Sequence, residues 1–245
     1  MPPTACSTPS GPGATSTGSV PPVRLGARTW PEVHAATWLL VMPVGSCEQH
    51  GPHLPLDTDT RIAVTLADRL ARARTDVVVA PALAYGASGE HAGFSGTLSI
   101  GLDALAVVVT ELVRSADEFA GVVLVNAHGG NTAAVDRAVT TLTAEGRRVL
   151  AWSPATDGDA HAGRTETSVL LDVAPSVVRM ERAEAGAVAP LAALMPALRA
   201  GGVGSVAPNG VLGDPTGASR AEGSRLLDSM GAALADAVAA WRATW

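Results

Sequence analysis

The 245-residue sequence has no lysine: all 17 of its cationic side chains are arginine. That excludes a P-loop lysine, a Schiff-base nucleophile and a lysine general base. Aromatic residues make up only 3% of the chain, too few for a flavin site or a base-stacking platform. A formal charge of −6 lacks the basic face that nucleic acid requires. Cysteine is almost missing too. Cys6 and Cys47 cannot build a disulfide framework, so a reducing cytoplasm is expected. No apolar run reaches the length of a membrane span before Gly, Pro or charge interrupts it. Residues 1–22 are rich in Pro, Ser, Thr and Gly, with neither a cationic start nor an apolar block. They read as a disordered tail rather than a signal peptide.

Residues 23–245 read as one domain, long enough to bury roughly 70–75% of the unfolded surface. Residues 37–44, 76–80, 121–126 and 147–152 are short, β-rich and apolar on both faces, as buried parallel strands are. Between and after them, residues 58–74, 102–119, 131–145 and 217–243 carry helical spacing, with Asp57 and Asn131 expected as N-caps. This alternation predicts an α/β fold with one parallel sheet covered on both sides. Residues 200–216 are Gly- and Pro-rich and read as a loop over one end.

In such sheets ligands bind where the loops gather at the carboxyl ends of the strands. Five of the six histidines fall in those loops: His50 and His53 after the first strand, then His91, His128 and His161 after the others. Only His34 lies elsewhere and reads as surface. Glu48, Asp57, Asp59, Glu90, Asp157, Asp159 and Glu166 share the same loops. Imidazole and carboxylate without thiolate suit zinc, iron or manganese, and one or two such ions would activate a water.

Glu48 and His50 are two residues apart, so an extended segment projects both to one side. Asp59 falls in a first helical turn, where free N–H groups keep a carboxylate ionised. These three read as ligands, with Asp59 bridging two ions; capping and solvated-loop roles are the alternatives. His128 reads as a ligand, or as incidental to a capping turn with Gly129 and Gly130. Glu166 reads as a ligand or as a helix-dipole partner, and His161 as a proton donor to a leaving nitrogen. His53 and His91 are either supporting or substrate-side residues. A Cys47–His nucleophile is the rival chemistry, weaker than a buried cysteine at a strand end.

The segments E-Q-H-G-x-H-L-P-L-x-T-D (48–59), G-x-x-x-E-H-x-x-F-x-G-T-L-S (86–99), N-x-H-G-G-N (126–131) and H-A-G-x-x-E-T-S (161–168) together resemble the creatininase family of metal-dependent amidohydrolases. The resemblance runs from about residue 37 to 174, more loosely through the last helix. It implies a three-layer α/β/α sandwich, a homo-oligomer and two divalent ions per subunit. It also implies ligand roles for Glu48, His50, bridging Asp59 and His128, and a catalytic role for His161.

Two departures stand out. Creatininase carries a ligating glutamate where this chain has Gly130, which leaves Glu166 to complete the second ion. Residues 153–160 also lack the tryptophans that frame creatinine, so creatinine is not the expected substrate. The first loop and the segment A-P-N-G-V-L-G-D-P-T-G-A-S (207–219) are most similar to the branch that trims a modified ribosomal precursor peptide for mycofactocin biosynthesis. That similarity implies a peptidase releasing a cyclised Val-Tyr unit near the precursor's C-terminus. Tyr85, Phe94 and His91 are the expected substrate-binding residues. A cyclic amidohydrolase or deformylase acting on a heterocycle, and a non-enzymatic metal- or peptide-binding subunit, are the competing readings.

Overall fold

The computed structural model describes residues 21–155 and 158–245. The tail expected at 1–22 therefore lies almost wholly outside the described residues, as do Cys6 and Asp157. Among the described residues four strands form one sheet: β1 (Leu39–Val44), β2 (Val77–Val79), β3 (Gly121–Asn126) and β4 (Val149–Trp152). Their order is β2-β1-β3-β4 and every pairing is parallel, with Leu39 opposite both Val77 and Gly121.

Among the described residues seven α-helices accompany the sheet: α1 (Trp30–His34), α2 (Thr58–Ala73), α3 (Gly101–Arg114), α4 (Thr132–Ala144), α5 (Arg164–Val173), α6 (Leu191–Gly201) and α7 (Arg220–Arg242). The two-residue period of the strands sorts their side chains into two cores. Leu39, Val41, Val77, Val79, Val123 and Val125 pack with Leu66 and Leu70 of α2, Leu170 of α5 and Leu227 and Leu234 of α7. Leu40, Met42, Val44, Val78, Val122 and Leu124 pack with Leu105 and Val109 of α3 and Val135 and Leu142 of α4. The sheet is thus the middle of three layers, the α/β/α sandwich expected. Each fully buried leucine contributes about 1.5–3 kcal/mol to holding the layers together.

The chain leaves β1 toward α2 on one face and leaves β3 toward α4 on the other. Adjacent strands whose following loops diverge open a crevice at their carboxyl ends. That crevice, between β1 and β3, is where the histidines converge. Asp57 and Asn131 take the expected N-cap positions, but neither side chain makes a capping bond. Asp57 turns its carboxylate to Arg61 Nε at 2.7 Å, and Asn131 makes no capping bond to α4. Asn131 instead ties loops together: Oδ1 accepts from Ala87 N–H at 2.8 Å, while Nδ2 donates to Gly45 O at 2.9 Å and Asn126 Oδ1 at 3.1 Å. Surface His34 is exposed, 3.2 Å from Glu118.

Candidate metal centre

Five histidines, His50, His53, His91, His128 and His161, are buried below 8% exposure, with Glu48 at 0% and Asp59 at 1%. Local sequence explains how they meet. A Cβ on Gly45 would lie 2.5 Å from Thr60 Cα, so only glycine lets the segment leaving β1 cross the start of α2 this closely. Ser46 then donates to Asp59 Oδ2 at 2.8 Å and Thr60 Oγ1 donates to Ser46 O at 3.0 Å, locking that segment onto the first turn of α2.

Asp59 is the hub. One carboxylate oxygen lies 3.0 Å from His50 Nε2, and the other lies 3.1 Å from His128 Nδ1. Glu48 sits 3.1 Å from His128 Nε2 and 3.3 Å from His91 Nε2. Glu166 Oε2 stands 3.8 Å from His50 Nε2 and accepts from Ala162 N–H at 2.6 Å. Ala162 has φ of 51°, a left-handed conformation rare outside glycine, and this turn aims His161 and Glu166 from the start of α5 into the cluster. Asp159 accepts from the backbone N–H groups of Arg164 and Thr165, closing that helix start.

Among the described residues three sets of side chains each bring one donor atom per residue within 4.8 Å of each other: Glu48–His50–Asp59, His50–His161–Glu166 and Glu48–His91–His161. His128 belongs to none of the three; its ring bridges Glu48 and Asp59 through opposite nitrogens. A divalent ion fits this chemistry. Both oxygens of Glu48 are buried without a hydrogen bond, the short contacts to histidine being misaligned. A carboxylate stranded in this way costs several kcal/mol unless a cation compensates it.

The charges are strongly perturbed. Burial, then Asp59, pushes Glu48 up to about 7. Burial likewise lifts Glu166 to about 7, with Asp59 adding to it against the pull of His50. Burial alone would lower His50 and His128, but Asp59 and the neighbouring glutamates carry them to about 10 and about 9. Asp59 is itself buried, yet the two histidines hold it well below the carboxylate range. Burial and the nearby His50 push His161 well down and His91 to about 3, so both rings are neutral. His53 falls to about 4 for the same reasons; it hydrogen-bonds Thr167 at 2.8 Å, behind the cluster.

A cavity of about 660 Å³ opens above His128 and His161. Its walls are Leu191, Met195, Leu198 and Arg199 of α6 with Val203 and Leu212 of the 200–216 loop; Glu90 stands at the edge. None of the three expected substrate-side residues lines it. Tyr85 is half-exposed elsewhere, and Phe94 packs with Val203, Ala207 and Leu212 behind the wall. His91 lies beneath, among the donors. The residues overlooked were those of α6, whose Leu191, Met195 and Leu198 recur at helical spacing, and Gln49, which hydrogen-bonds His91 and His161. At Gly130 the volume a side chain would need is already filled by Glu90 Oε1 and Ala87 O.

The chain has relatives among known proteins. The mycofactocin precursor peptide peptidase of Mycolicibacterium smegmatis is 49% identical over 229 residues, covering 90% of this chain and 92% of that one. The protein of the same name from Mycobacterium tuberculosis is 50% identical over 229 residues, covering 89% and 91%. A manganese form of creatininase superposes with a TM-score of 0.73 at 26% identity, over 89% of this chain and 97% of that one. A mutant creatininase of the Zn-Zn type gives 0.73 at 25% identity over the same shares. Residues 27–238 match the family model described as creatinine amidohydrolase, and the chain belongs to the creatininase family.

Proposed function

We propose that this chain is a metal-dependent peptidase that cleaves the modified mycofactocin precursor peptide near its C-terminus, releasing the cyclised Val-Tyr-derived unit. The observation that carries this reading is the near-half identity, across nine-tenths of the chain, to peptidases named for that substrate. The buried donor cluster beneath an open, largely apolar cavity supports it.

In this reading two divalent ions per chain, zinc, iron or manganese, would be held by Glu48, His50, Asp59, His128 and Glu166, with Asp59 shared between them. Such ions supply an activated water and polarise the scissile carbonyl. The protein supplies the rest. Asp59 offers one oxygen to each side. His161 is neutral in its buried setting, so its ring takes up a proton before it passes one to the departing amine. The wall of Leu191, Met195, Leu198 and Leu212 receives an apolar end and keeps bulk water from the reacting atoms. Among the described residues Arg199 has no acidic partner, and it stands at the cavity as a counter-charge for a carboxylate. The competing reading, a cyclic amidohydrolase or deformylase, shares the ions and differs only in what the cavity accepts.

No helix among the described residues is long and apolar enough to cross a membrane. Action in the cytoplasm, as a homo-oligomer, completes the proposal. Exposed Leu98, Leu102 and Val107 supply apolar surface for association. The decisive experiment incubates the ion-loaded protein with the modified precursor and with a panel of cyclic amides and formamides, followed by mass spectrometry. Release of the C-terminal unit from the modified peptide is expected. Intact precursor alongside turnover of a heterocycle would transfer the assignment to the competing reading.

A further inference from the structure

Gln49 sits between two proposed ligands and has no ligating role of its own, yet it is only 5% exposed and its whole amide is engaged. Its Oε1 accepts from Gly51 N–H at 2.8 Å, and its Nε2 donates to Gly210 O at 3.0 Å. A backbone N–H only donates and a carbonyl only accepts, so these two contacts decide which end of the amide is oxygen. One amide hydrogen remains. It faces His91 Nδ1 at 2.8 Å and His161 Nε2 at 3.1 Å.

His161 Nε2 also lies 2.9 Å from the backbone carbonyl oxygen of Gln49. That oxygen has no proton to give, so the ring nitrogen must carry one and donate. A protonated nitrogen cannot accept, and the second amide hydrogen therefore goes to His91 Nδ1. Both hydrogens and the oxygen of the Gln49 amide are then used. His91 is bare at Nδ1 and protonated at Nε2, which lies 3.3 Å from Glu48 Oε1. His161 is protonated at Nε2 and bare at Nδ1, which is 3.8 Å from Glu48 Oε1 and faces the cluster.

We propose that Gln49 is a positioning residue that locks His91 and His161 in the same Nε2–H tautomer presented in opposite senses, so that the protonated Nε2 of His91 faces Glu48 and is not a metal ligand, while Nδ1 of His161 is the basic atom offered to the reaction. The set Glu48–His91–His161 is thereby removed from the candidate ion sites. The part concerning the reaction rests on the hydrolase reading above; the tautomers do not.

The test is nuclear magnetic resonance of the zinc-loaded protein with 15N-labelled histidine rings, assigned through His91→Gln and His161→Gln. The native spectrum is expected to show Nε2–H and an unmetallated ring for His91, and Nε2–H for His161. In Gln49→Glu the carboxylate has no hydrogen to donate, so His91 moves its proton to Nδ1 while His161 keeps Nε2–H through the backbone carbonyl. With precursor peptide, Gln49→Glu should lose about ten- to a hundredfold in kcat with little change in KM. A zinc-bound Nε2 on His91 in the native protein overturns the proposal, and so does an unmoved His91 proton in Gln49→Glu. Should Gln49→Glu fail to fold, the native spectrum alone decides. If the tautomers are as stated and no peptide is cleaved, the functional reading fails and the tautomer lock stands.

Discussion

Asp59 touches both halves of the cluster, and its removal separates a bridging carboxylate from a merely neighbouring one. Asp59→Ala should lose both ions together by elemental analysis; retention of one ion in full would show that the halves are independent. His161→Ala makes the complementary case, since the ring is assigned to proton transfer rather than to anchoring. Metal content should stay near native while kcat drops by roughly two to four orders of magnitude in steady-state assays. Most of these residues were legible in sequence, because histidine and carboxylate crowded into strand-following loops is a pattern that scattered surface charge does not produce. Gln49 was not, because an amide in a polar loop has no distinctive spacing. Its role emerges only when Gly210, from a segment 161 positions later, arrives at its side.

At the level of elements, β1 and β3 were readable as continuous apolar runs, and α2 and α3 from their one-sided spacing. The four expected stretches leave out α1, α5 and α6, although Glu166 was read near a helix start. α5 (RTETSVLLDV) is short and opens on polar residues that do not declare a face. α6 (LAALMPALRAG) holds Pro196 and is apolar nearly all round, so it lacks the polar stripe that advertises a surface helix. These are the elements that complete the site, one presenting Glu166 and the other the cavity wall. α5 owes its position to α7: a Cβ on Gly223 would collide with the backbone carbonyl of Ser168. Gly223→Ala should therefore push α7 off α5 and lower unfolding stability by about 1–3 kcal/mol in denaturant titrations. An unchanged midpoint would mean that the helices are not held at this separation.

Across the whole molecule, ion binding and protonation oppose each other. In the ion-free protein Glu48 and Glu166 titrate near 7, so at lower pH they hold protons that an incoming ion must displace. Affinity for zinc should rise as pH increases through about 7 and further toward about 9 and about 10, where His128 and His50 also give up their protons, with protons released on binding; calorimetry in two buffers of different ionisation enthalpy measures both. Affinity that is flat through about 7 would place the raised carboxyls outside the ligand set. The stranded Glu48 carboxylate extends this coupling to the fate of the chain. It lies on the first segment after the central strand, so a newly made polypeptide that finds no ion keeps a carboxyl group without a hydrogen bond at the heart of its fold. Such molecules spend more time open and meet proteases more often. Steady-state abundance of the protein should thus follow the trace-element supply of its host.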